Sequence, residues 1–195
     1  MWIVAAGVTA FVLAAGWWIY ATFNVPVPAY AVVEVEGDVE IRDYPALVVA
    51  EVTTRGTRGE AVRSGFSPLA RYIFAREREG EKIAMTAPVT QRPDGDGTWT
   101  VQFIMPEEYT LESLPQPAGA QVALASEDPV RRAAIRFSGS WDDERFAEQE
   151  ATLRAWLSAR GLTALGPATY AYYNDPFTPP FLRRNEILID LAPSG

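Results

Sequence analysis

Beyond residue 30 the chain runs through one order of elements twice, and that repetition restricts the fold more than any single motif. In the first half, residues 30–36 and 40–44 read as a hairpin around Gly37 and Asp38, and 46–53 as a valine-rich strand. Gly56 and Gly59 break the chain before a predicted helix over 60–76. Its Val62, Phe66, Leu69 and Ile73 recur at i, i+4, i+7 and i+11, an apolar stripe. Pro68 either kinks this helix or, capped by Ser67, opens a separate first turn. Strands over 82–91 and 98–105 follow, joined by a turn at 93–97. The second half has strands at 121–126 and 130–138, then a helix to residue 160. Ser140 is its expected N-cap ahead of the acidic Asp142, Asp143 and Glu144. Phe146, Leu153, Trp156 and Leu157 face inward, Gly161 stops the helix, and strands 168–173 and 184–191 close the half. Strand runs interrupted by single helices predict an α+β fold with a mainly antiparallel, curved or barrel-like sheet.

The chain has 195 residues and a net charge of −8, with no histidine and no cysteine. Those absences exclude disulfides, thiolate zinc sites, cysteine nucleophiles and Ser-His-Asp triads. The acidic balance, with no basic stripe interleaved with aromatics, argues against nucleic-acid binding.

Met1 to Val33 contains no charged side chain. The apolar run 2–20 matches the ~20 residues needed to cross ~30 Å of hydrocarbon, and Trp17, Trp18 and Tyr20 sit where an interfacial belt belongs. Missing basic flanks and its length favour an uncleaved anchor over a secretory signal, although Ala14, Gly16 and Ala21 offer a cleavage site. The organisation expected is therefore a transmembrane anchor or signal at 1–23, a proline-containing linker at 24–29 and one domain at 30–191. The expected location is a single-pass membrane protein whose domain lies outside the cytoplasm.

Two motifs concentrate unusual residues. Lys82-Ile-Ala-Met-Thr-Ala-Pro-Val89 holds the only lysine and one internal methionine, and the other is in Phe103-Ile-Met-Pro106. The second motif is Tyr172-Tyr-Asn-Asp-Pro-Phe-Thr-Pro-Pro-Phe-Leu-Arg-Arg-Asn-Glu-Ile187. These stretches, with an opening hairpin Tyr30-Ala-Val-Val-Glu-Val and Val39-Glu-Ile-Arg-Asp-Tyr44, closely resemble the SOUL haem-binding protein family over residues 30–191. The resemblance implies two βα repeats forming a distorted antiparallel β-barrel flanked by two helices. It further implies likeness to the ligand-binding domains of multidrug-responsive transcription regulators. The implied activity is binding haem or another tetrapyrrole without chemistry on it. The implied site is a shallow apolar cleft between the first helix and the Pro-rich loop. Carried onto this chain, the helix contributes Arg63, Phe66, Ala70, Arg71 and Phe74. The loop contributes Pro176, Phe177, Pro179, Pro180 and Phe181. Some members have a histidine proposed as axial ligand; this chain has none, so the expectation is tetrapyrrole burial without histidine ligation.

Arginine pairs with propionates through its planar fork, and Arg63 and Arg71 share roughly one side if the helix runs through Pro68. Met85 and Met105 alternate with apolar neighbours and read as core. Tyr172 and Tyr173 are the substitute ligands to consider, against ordinary aromatic packing. Glu186 either pairs with Arg183 or Arg184 or recognises a cationic small molecule, and the pair is favoured. Binding of another amphipathic or cationic molecule is the alternative function. A small hydrolase, using Glu34 or Glu51 beside Glu186, is the third.

Overall fold

A computed structural model describes residues 25–193. The predicted anchor at 1–23 lies outside the described residues; among those described, no helix is long and apolar enough to cross a membrane. The first half contributes β1 (Ala31–Glu36), β2 (Val39–Tyr44), β3 (Leu47–Arg55), α1 (Arg58–Ile73), β4 (Val89–Gly95) and β5 (Thr98–Ile104). The second contributes β6 (Ala123–Glu127), β7 (Val130–Phe137), α2 (Asp143–Ala159), β8 (Ala164–Tyr172) and β9 (Asn185–Leu191). All nine strands form one antiparallel sheet in the order β1-β2-β7-β9-β8-β4-β5-β3-β6.

The expected α+β class holds, but the sheet is not closed into a barrel. Strands β1 and β6 are its two edges, and no ladder joins them among the described residues. The chain passes from β2 to β3 at Pro45-Ala46 and from β6 to β7 at Asp128-Pro129, and proline has no N–H with which to extend a ladder. Side chains close part of that gap instead: Tyr44 from β2 packs with Leu47, Val49 and Ile104.

Both helices cover one face of the sheet, α1 over β3 and β5, α2 over β7, β8 and β9. Beneath α2 lie Val39, Ile41, Ala133, Ile135, Ile187 and Ile189, alternate residues of their strands, against Phe146, Leu153 and Leu157. Beneath α1 lie Ala50, Val52, Val101 and Phe103 against Leu69, Tyr72 and Ile73. The buried stripe of α1 runs through Ala61, Gly65, Leu69, Tyr72 and Ile73, which turns Phe66 outward. Gly65 permits the close approach, since a Cβ there would lie 2.7 Å from that of Val101.

Three local expectations change. Helix α1 begins two residues early because Thr57 and Glu60 form a capping box, and it continues through Pro68. Asp142, not Ser140, caps α2, accepting from the Arg145 amide at 2.8 Å, while Ser140 bonds the Asp142 carboxylate. Residues 82–88 form no strand: Ile83 and Thr86 bond Ile73 and Ile104 carbonyls, and pairing starts only at Val89.

Candidate functional site

The sequence Arg183-Arg184-Asn185-Glu186 works residue by residue, because alternate β9 side chains serve opposite faces of the sheet. Arg183 turns back on its own loop, donating to the Thr178 and Pro176 carbonyls at 2.8 Å each and stacking over Trp141 at 4.5 Å. Asn185 accepts from the Trp141 indole at 2.8 Å and donates to the Gly139 carbonyl. Arg184 and Glu186 serve the face away from the helices. Arg184 donates to Glu186 Oε1 at 2.8 and 2.9 Å and lies over the Tyr173 ring.

Glu186 is fully buried, and its principal partner is Arg42 of β2, which donates to both carboxylate oxygens at 2.7 and 3.0 Å. Tyr173 adds its hydroxyl at 2.8 Å. Burial pushes the Glu186 carboxyl upward, but the Arg42 pair, the Arg184 charge and the Tyr173 hydroxyl outweigh it and hold the group below the usual carboxylate range. The expected pairing with Arg184 is therefore present, and Arg42 is a partner that sequence reasoning missed. A carboxylate satisfied by two guanidinium groups leaves little for a cationic ligand. The two carboxylates considered beside it are engaged elsewhere: Glu34 bonds Arg160, and Glu51 accepts from Gln102.

A cleft of about 740 Å³ opens where the Pro-rich loop meets the end of β7 and the start of α2. Asp175 shapes the loop by accepting from the Phe177 and Thr178 amides at 2.7 and 3.0 Å, and Pro180 accepts from the Gly139 amide. Phe181 and Leu182 then project outward, 76% and 48% exposed. Besides Arg184, which pairs with Glu186, three arginines, Arg136, Arg145 and Arg183, line the same cleft. Among the described residues no carboxylate lies within ion-pair distance of any of them. Arg145 reaches its place by donating to the Ser138 carbonyl and crossing Gly139. Gly139 has φ +125°, a conformation that favours glycine, and a Cβ there would displace the Arg145 guanidinium, whose Nε would lie 2.5 Å away. Arg136 follows from β7's alternation, which points it away from the helix-covered core.

Of the residues expected from the sequence, Phe181 lines this cleft. Phe177 is 84% exposed on the same loop, Pro180 is exposed, and Pro176 and Pro179 flank them. Arg63, Phe66, Ala70, Arg71 and Phe74 lie along α1, outside the cleft's walls. Phe66 and Phe74 are exposed there, whereas Arg71 is engaged with Ser67 and Glu77. Arg58, one turn before Arg63, links α1 to the loop region: it bonds Tyr172, Asp143 and the Trp141 carbonyl. Arg136 and Arg145 carried no sequence signal, because neither belongs to a motif.

The tyrosine and methionine alternatives resolve plainly. Tyr172 accepts from Arg58 and donates to Gln91, and burial pushes its phenol up to about 12. Burial and then the Glu186 charge raise Tyr173 well above the ordinary phenol value. Both hydroxyls stay protonated and engaged at neutral pH. Met105 is buried beneath α1, and Met85 packs against the same cluster.

The SOUL heme-binding protein family model matches residues 25–190. Heme-binding protein 2 of Homo sapiens is 29% identical over 148 residues, 72% of each chain. Heme-binding protein 1 of Mus musculus is 25% identical over 134 residues, 66% of this chain and 70% of that one. Among solved structures, the EcmrR C-terminal domain aligns with a TM-score of 0.60 at 11% identity, covering 84% of this chain and 98% of that one. A hydrolase from Listeria innocua aligns with a TM-score of 0.56 at 15% identity, covering 82% and 94%. At such identities these two structures speak to fold alone. The family model spans nearly all of the described chain, and it follows that this protein belongs to the SOUL haem-binding protein family.

Proposed function

We propose that this chain is a membrane-tethered, non-catalytic binder of haem or a related tetrapyrrole, held in the cleft beside the Pro-rich loop. The observation that carries the reading is the cleft's composition: three arginines without carboxylate partners beside exposed Phe181 and Leu182. A porphyrin offers the complement, a flat apolar ring and two propionates, and a guanidinium pairs with a carboxylate bidentately. The residues present suit the ring and its carboxylates better than its iron. The sequence has no histidine or cysteine, and the tyrosines and methionines considered as ligands are committed elsewhere. Bound haem would supply its iron and chromophore; Arg136, Arg145 and Arg183 would hold propionates, and Phe181 and Leu182 would cover the ring. The apolar run 2–20 supports the tether and the extracytoplasmic domain remains part of the proposal.

A second surface is favoured by one observation, the exposed rings of Phe66 and Phe74 on α1, with Arg63 on the same helix. Haem titration of the full chain in detergent separates the two. Arg136→Gln is expected to raise Kd about tenfold, as loss of a charged hydrogen bond worth about 1.5 kcal/mol requires. Phe181→Ser should weaken binding too, while Arg63→Gln and Phe66→Ser leave it unchanged. The reverse pattern would move the site to α1, and absence of binding by the parent chain would reject the function.

A further inference from the structure

We infer that, while it holds no ligand, the mouth of this cleft docks on an anionic lipid surface, so that Phe177, Phe181 and Leu182 enter the interface and Arg136, Arg145 and Arg183 meet lipid phosphates. The chain as a whole is acidic, at −8, yet the cleft brings together four arginines, counting Arg184, against one acid, Asp38. Beside them the loop exposes two phenylalanines and a leucine, with Phe177 and Phe181 at 84% and 76%. A rigid loop that holds large apolar side chains in water next to unpaired cations has the composition of an interfacial membrane contact.

The position of the N-terminal strap says what covers this face. The Ala87 amide donates to the Pro26 carbonyl at 2.8 Å, and Val27 lines the cleft with Phe181 and Leu182. The charge-free run 2–20 ends seven residues before Val27, a distance of at most about 25 Å for extended chain. The one part of the sequence suited to hydrocarbon is thus tied to the rim of the cleft. Docking there would let an amphipathic ligand pass between bilayer and cleft without crossing bulk water. The inference rests on the proposed tether and not on the identity of the tetrapyrrole.

The absence of cysteine allows a clean test. Phe181→Cys and, as a control on the exposed side of α2, Thr152→Cys are spin-labelled in the full chain. Each is reconstituted into phosphatidylcholine vesicles with or without 30% phosphatidylserine, and flotation checks association. With phosphatidylserine, the label at 181 is expected to become several-fold more accessible to oxygen relative to a water-soluble nickel complex. The label at 152 should stay aqueous. Arg136→Gln in the 181-labelled chain should reduce the difference. An aqueous label at 181, equal depth in both lipids, or a chain that does not float would each overturn the inference. No tetrapyrrole is present, so these results are independent of the titration that tests ligand binding.

Discussion

Arg42 and Glu186 stand 144 positions apart, and Arg42 donates two hydrogen bonds to the carboxylate on the face away from the helices. Breaking a buried pair by removing one partner costs about 3–5 kcal/mol, because the remaining charge stays desolvated. Arg42→Met is therefore expected to lower unfolding free energy by about that amount in urea titrations. Arg42→Met combined with Glu186→Met should recover much of the loss, since apolar replacement of an entire pair is often neutral. A double variant as unstable as the sum of its singles would contradict this account. The same pair predicts a pH dependence. The folded carboxyl titrates below its unfolded value, so its contribution is complete above the unfolded pKa of about 4.3 and is lost as pH falls through the folded value. Stability should therefore drop below pH ~4 less steeply in Glu186→Gln than in the parent.

Among the elements, α1 shows how a helix is positioned by what it lacks. Gly65→Ala would gain about 1 kcal/mol of helix propensity. The new Cβ would meet Val101, whose Cβ would lie 2.7 Å away on β5, a strand held by ladders on both sides. Overpacking costs about 1–3 kcal/mol, so net destabilisation is expected by thermal unfolding, and a raised midpoint would contradict the packing. Element order and the inward residues of α2 were legible in the sequence, because period 3.6 and period 2 are local signals. The absence of a strand over 82–88 was not, since a side-chain bond of Thr86 to a distant carbonyl replaces a ladder there. Nor was the Asp142 cap, as Ser140 and Asp142 are both good capping residues two positions apart. The open sheet escaped for a different reason. Closure depends on whether the two edge strands meet, and no periodicity reports that. At the site, Phe181 was legible through its motif, while Arg136 and Arg145 joined it only through the meeting of β7, α2 and the loop.

At the scale of the whole molecule, the two repeats share one sheet, and the cleft lies at its end where the last loop, the N-terminal strap and the start of α2 converge. Arg58 fastens that region by joining the first turns of both helices to β8 through Asp143 and Tyr172. The molecule thus presents a preformed surface with cations and aromatics but with Tyr172, Tyr173, Met85 and Met105 turned to structural work. We propose that a tetrapyrrole is held there by ring burial and propionate pairing, with iron optional. The most direct measurement is the ratio of dissociation constants for haem and iron-free protoporphyrin IX with the full chain, read with the haem absorption spectrum. The account predicts a ratio within about threefold of one, below 0.7 kcal/mol of discrimination, and no low-spin ligated spectrum. Haem binding tighter by a hundredfold, with a ligated low-spin spectrum, would contradict it.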